Sequence, residues 1–203
     1  MVNIYVWSGV ACAGVAILMS LYKMGVFMTP KTIVGEIDEV YIVAMNFQGP
    51  FKDYMKADKY YQENYLKNFK VAPKVWTSGG LYYNPPLADQ SKNVWGLYWV
   101  LDQEEYDAIN TDGTPFKKFV LPKSRILESN FPFTNSLSGM LGAMKVYPVL
   151  NKYMTENKIE GYGCIEMYYS DPAKPMRYIY YLDKTDLFPQ IKESMKPIDV
   201  STL

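Results

Sequence analysis

Histidine is absent from the chain. That removes Ser-His-Asp and Cys-His catalysis, histidine metal sites and the usual proton shuttle. Cysteine is nearly absent too: Cys12 lies inside an apolar N-terminal run and Cys164 far away, so no disulfide framework is expected. Arginine occurs only at Arg125 and Arg177, and 21 acids balance 21 bases. With no basic stripe interleaved with aromatics, no nucleic-acid partner is expected. Nothing matches G-x-x-x-x-G-K-[ST] or G-x-G-x-x-G, so Gly79-Gly80 and Gly139 with Gly142 are not phosphate loops. Asp102, Glu104, Glu105 and Asp107 lack the spacing of a calcium loop and read as a solvated turn. No recognisable base accompanies Ser129-Asn130 or Thr134-Asn135-Ser136, which read as caps and turns rather than nucleophiles. The chain is therefore expected to be non-catalytic, with no metal and no cofactor.

Apolar residues make up 49% of the sequence and aromatics 16%, enough for a sizeable core. From Met1 to Tyr22 no side chain is charged. At ~1.5 Å per residue that run spans roughly 33 Å, against a hydrocarbon core of about 30 Å. Tyr5 and Trp7 at one end, and Tyr22 with Lys23 at the other, suit the interfaces. The run reads as an uncleaved transmembrane anchor over residues 1–28, with Gly9, Ala13 and Gly14 placed to let another membrane helix approach. Lys23 and Lys31 follow it, which puts the remainder on the cytosolic or matrix side.

The rest repeats itself. Leu81-Tyr82-Tyr83-Asn84-Pro85 returns as Met167-Tyr168-Tyr169-Ser170-Asp171-Pro172, and Gly96–Asp102 is echoed by Arg177–Asp183. Asn46-Phe47 with Pro50-Phe51 has a looser echo in Asn130–Phe133; all three keep their order at a spacing of about 80 to 86 residues. Each copy opens with a β-rich stretch, Thr32–Phe47 or Phe116–Leu127. A helix follows: Tyr54, Ala57, Tyr61, Tyr65 and Phe69 share one face in the first copy, and Leu137, Met140, Leu141, Met144 and Tyr147 in the second. Pro148 is expected to kink that second helix or start another. Two aromatic strands close each copy. The expectation is an α+β domain at 31–189, a duplicated β-α-β-β with repeats at 32–102 and 116–183, behind one transmembrane helix and before a tail at 190–203.

The order QGPF, helix, LYYNPP, then FPFT, long helix, IEMYYSDP resembles the GyrI-like (SHS2) effector-binding domain over Ile33–Pro189. Within that family it is similar to the membrane-anchored eukaryotic branch, the testis-expressed GyrI-like ER-membrane receptors. The resemblance implies a pocket between the halves that takes lipophilic cations or serves small-molecule hydrolysis, built from a buried acid and aromatic rings. The matching acid is Glu166. Strand alternation puts Cys164, Glu166 and Tyr168 on one face, and the repeat brings Tyr82, Trp99 and Tyr181 to equivalent places. The chain ends at Leu203 without the long tail of those receptors, and Asp186–Ile191 satisfies only a bare aromatic-x-x-aliphatic pattern. The expected role is a structural accessory subunit or adaptor of a large membrane complex. Its partners would be other membrane-protein subunits and the lipid bilayer, with the mitochondrial inner membrane first and the ER membrane second. An ER receptor, or a sensor or hydrolase of small hydrophobic ligands using Glu166, is the alternative.

Overall fold

The computed structural model describes residues 2–70, 73–74, 77–159, 163–171, 173–184 and 186–203, with side chains from residue 13 onward. The elements follow in the order α1 (Val2–Lys23), β1 (Ile33–Ile37), β2 (Val40–Gln48), α2 (Tyr54–Phe69), β3 (Thr77–Tyr82), β4 (Val94–Leu101) and α3 (Gln103–Ala108). Then come β5 (Lys117–Leu121), β6 (Ser124–Phe131), α4 (Ser136–Glu156), β7 (Cys164–Tyr169), β8 (Met176–Tyr181), α5 (Leu187–Ser194) and β9 (Ile198–Asp199).

Among the described residues these strands form one curled half-barrel sheet, β1-β6-β8-β7-β3-β4-β2-β5, antiparallel along that path, with β9 parallel to β2. The order is palindromic about the β3–β7 junction. Each expected β-rich opening is two strands, broken at Asp38-Glu39 in one copy and Pro122-Lys123 in the other. The halves trade the first of these: β1 pairs with β6, and β5 pairs with β2. At the junction Gly80 lies directly opposite Glu166, its own repeat equivalent, so the pseudo-twofold axis passes through that pair.

Strand alternation divides the interior into two layers. One face carries Ile42, Ala44, Tyr98, Ile165, Ile179 and Tyr181 and is closed by Phe188, Ile191 and Met195 from α5 and just beyond it. The other carries two helix-covered clusters. Under α2, Ala57, Tyr61 and Tyr65 pack on Phe47, Trp95, Leu97 and Trp99. Under α4, Val146, Leu150 and Met154 pack on Leu127, Phe131 and Tyr178.

Three helical expectations change. Among the described residues no helix is long and apolar enough to cross a membrane. The integral single-pass placement, whether in the mitochondrial inner membrane or the ER, is therefore overturned. Of the expected helix contacts, Gly9 lies outside the residues described with side chains, while Ala13 and Gly14 are exposed, with open space around Gly14. The C-terminal end of α1 is instead tied to the domain. Gly25, at φ +77°, closes it with bonds from Gly25 N to Tyr22 O and from Val26 N to Leu21 O, the Schellman pattern. Lys145 of α4 then donates its ammonium to the carbonyls of Gly25, Val26 and Met28 at 3.3, 2.5 and 2.9 Å.

Second, α4 continues through Pro148 as one helix, so no second helix starts there. Third, its buried face is Ser138, Gly142, Val146, Leu150 and Met154, leaving Leu137, Met140 and Met144 exposed. Small residues win the contact because Gly142 sits against Phe131 and the Tyr178 hydroxyl, where a Cβ would meet that oxygen at 2.5 Å. Asn135 and Ser138 form the N-terminal capping box. Asp102 and Glu105 do the same for α3, and Lys74 pairs with Asp102 and Glu104, so three of the four acids of the cluster serve capping and ion pairs.

Candidate functional site

The axis carries one carboxylate. Glu166 points to the helix-covered face from the middle of β7, at the seam between the α2 and α4 clusters, and is only 4% exposed. Three phenols donate to it. Tyr147 of α4 reaches Oε1 at 2.6 Å, Tyr82 of β3 reaches Oε2 at 3.3 Å, and Tyr168 of β7 makes a short bond to the same Oε2. Tyr82 and Tyr168 are repeat equivalents, so the two halves converge on one oxygen from opposite sides.

Gly80 makes this convergence sterically feasible. The Tyr82 ring folds back over it, and a Cβ there would meet the ring at 2.6 Å. A wider aromatic wall surrounds the phenols. Phe51 meets Tyr82 edge-on at 5.5 Å, Tyr54 and Phe133 flank Tyr168 at 6.4 and 5.0 Å, and Tyr178 meets Tyr147 at 5.3 Å.

Electrostatically the site is a carboxyl group without a salt-bridge partner among the described residues. Burial raises its pKa above the ordinary 4.5, opposed by the bonds from Tyr147, Tyr168 and Tyr82. Burial and the neighbouring carboxylate also push all three phenols, and the Cys164 thiol on the same face, well up. The three phenols and the thiol are therefore proton-bearing groups at neutral pH, facing a carboxylate that ionises reluctantly.

The sign of the pH effect follows. The folded state holds the Glu166 proton more tightly than the unfolded chain, so stability falls as pH rises from about the ordinary carboxylate value. Glu166→Gln removes that slope. In thermal melts across pH 4–8, the wild-type midpoint should decline relative to the variant as pH increases; parallel profiles would exclude Glu166 as the titrating group.

Of the residues singled out from sequence, the structure brings Glu166, Tyr168 and Tyr82 together. Trp99 shares their face but stands across β3 from Tyr168, packed at 5.4 and 4.5 Å from Tyr61 and Tyr65. Tyr181 lies on the opposite face against Phe188. The residue that matches Trp99 is Tyr180, which pairs with Cys164 as Trp99 pairs with Ser78. A slip of one residue in a strand flips the face. Sequence reasoning missed Tyr147 as a partner of the acid and Gly80 as the clearance that admits Tyr82. Phe188 and Ile191 of the aromatic-x-x-aliphatic stretch are buried in α5.

No protein-family model matches the chain. The C-terminal domain of EcmrR superposes with a TM-score of 0.52 at 17% identity, covering 76% of this chain and 98% of that one. EcmrR in its complex with DNA gives 0.53 at 15% identity, covering 89% and 69%. The fold is GyrI-like. Testis-expressed protein 264 of Homo sapiens is 27% identical over 115 residues, covering 53% of this chain and 36% of that protein. The chain thus spans about a third of that relative's length. In the GyrI-like frame, Glu166 and its phenols occupy the junction of the two halves.

Proposed function

We propose that this chain is a non-catalytic binding module of GyrI-like fold that takes a hydrophobic organic cation at Glu166. The observation that carries the reading is a buried carboxylate with no cationic partner among the described residues, ringed by tyrosine and phenylalanine faces. A charge so placed has had most of its hydration removed and gains strongly from a cation that brings its own apolar surface. The phenols hold the site closed. A ligand must displace phenols from Oε2 and offer its positive charge in their place, and Tyr82 and Tyr168, both half-buried, are the groups that can turn outward. The non-catalytic reading is favoured because, among the described residues, the side-chain donors to Glu166 are all tyrosine hydroxyls whose acidity burial suppresses, and no second acid or base stands with them. The likeness to Testis-expressed protein 264 favours the eukaryotic branch of the fold.

Tetraphenylphosphonium is a suitable probe, with tetraphenylborate as a control of the same shape and opposite charge. Titration calorimetry should register the cation and not the anion. Glu166→Gln should weaken binding by about tenfold or more, a loss of ~1.4 kcal/mol for each factor of ten. A folded Glu166→Gln variant that binds the cation as tightly as wild type would overturn the reading.

A further inference from the structure

The two outer strands of the sheet are symmetry equivalents but are finished differently. On β5, Lys117 and Lys118 sit within the strand, and the Lys118 ammonium lies 4.7 Å over the Tyr106 ring and donates to the Tyr106 carbonyl at 2.6 Å. Lysine on an outer strand is a common guard against pairing with another chain. β1 has no such guard. Its sequence Ile33-Val34-Gly35-Glu36-Ile37 carries no lysine or proline, Ile33 and Val34 are 46% and 51% exposed, and its only strand partner among the described residues is β6. Gly35 stands mid-strand where a Cβ would find nothing within 4 Å, so neither packing nor an unusual backbone angle within this chain asks for glycine. Glycine inside a strand weakens it, and its frequent reason is the close approach of another backbone.

We infer that the free edge of β1 pairs antiparallel with β1 of a second copy of this chain, about a twofold axis at Gly35. The charge pattern selects this occupant. Antiparallel pairing centred on Gly35 sets Ile33 opposite Ile37 and Val34 opposite the aliphatic stem of Glu36. It also places Thr32 opposite Asp38 and Lys31 opposite Glu39, so both ends of the ladder close on an opposite-charge pair. Lys31 and Glu39 are exposed, and neither belongs to an ion pair among the described residues. The Glu36 and Asp38 carboxylates are already taken by Lys123 of the same chain, at 3.2 and 3.7 Å. The register therefore sets no like charges directly opposite each other, and the diagonal pair of Glu36 side chains is neutralised by Lys123 of each copy. A five-residue strand buries a narrow strip, so the dimer is a concentration-dependent one. The pairing would join two half-barrels into one continuous sheet, with both Glu166 sites left on their own helix-covered faces.

Sedimentation equilibrium of the full chain over a wide concentration range tests this. Wild type should dimerise, while Lys31→Glu alone and Glu39→Lys alone should each weaken association by about tenfold through like-charge contacts at both ends. An equimolar mixture of the two variants should associate at least as well as wild type, because every end contact in the mixed dimer is then attractive. Both substitutions are at exposed positions, and circular dichroism verifies that the fold is kept. A monomeric wild type, single variants that associate like wild type, or a mixture no tighter than its components would each overturn the proposal. The last two outcomes also expose association that runs through the apolar surface of α1 instead.

Discussion

Gly79→Ala should abolish the folded domain or lower its stability by at least about 3 kcal/mol, the largest effect expected of any single methyl in this chain. Gly79 is in β3 at the junction of the halves, and a Cβ there would lie 1.8 Å from the backbone carbonyl oxygen of Glu166 and 2.6 Å from the Tyr98 phenol. A carbonyl in a central ladder has nowhere to retreat. Tyr98 pairs with Gly79 across β3–β4 and lays its ring over the glycine, so that its hydroxyl donates to Glu166 O at 3.0 Å. Alanine would therefore push apart the two central strands and strip that carbonyl of a buried donor. Urea denaturation followed by circular dichroism checks the claim, with Gly14→Ala as the internal comparison, since open space surrounds that position in α1. A Gly79→Ala protein within about 1 kcal/mol of wild type would mean that the half-to-half junction is looser than this geometry.

The second large effect belongs to Tyr61→Phe, which removes one oxygen. The Tyr61 hydroxyl donates to Val43 O at 2.6 Å and accepts from Trp99 N at 3.1 Å, and Val43 and Trp99 are direct partners in the β2–β4 register. A side chain from α2 thus stands inside the ladder as a water molecule would, joining a carbonyl and an amide that face each other. The site is fully buried beneath Trp99 and Phe116, whose rings meet Tyr61 edge-on at 5.4 and 5.2 Å. Phenylalanine fills the same space but removes both buried bonds, each worth ~0.5–1.5 kcal/mol. A loss of about 1–3 kcal/mol follows, seen as a melting temperature lowered by roughly 2–12 °C for a chain of this size. An unchanged melting temperature would require the strands to close the gap themselves.

These two positions illustrate what could and could not be read from the sequence. The repeat gave the strands of each copy, and with them Glu166, Tyr82 and Tyr168, because an order of aromatic pairs survives in one dimension. The trading of β1 and β5 between halves did not survive, since pairing partners leave no mark on local alternation. Gly79-Gly80 is visible in the sequence, where its spacing excludes a phosphate loop and points to nothing else. Its actual use, clearance for Tyr98 on one face and Tyr82 on the other, depends on neighbours that lie elsewhere in the chain. Tyr147 was counted with the apolar stripe of α4, because a phenol aimed at a carboxylate and a phenol in a core have the same spacing. The stripe itself was misjudged for a related reason: ranking residues by size favoured Leu137, Met140 and Met144, whereas the helix approaches on Ser138 and Gly142. The apolar leader is legible only through its missing charges, and among the described residues no helix is long and apolar enough to cross a membrane.

The reciprocal loan of outer strands has a bearing on how such a chain folds. Neither half finishes its own sheet, because the leading strand of each has its berth on the other. The consequence is kinetic: β1 must find β6 across most of the first half of the chain, so neither half can crystallise into native order early and wait for the other.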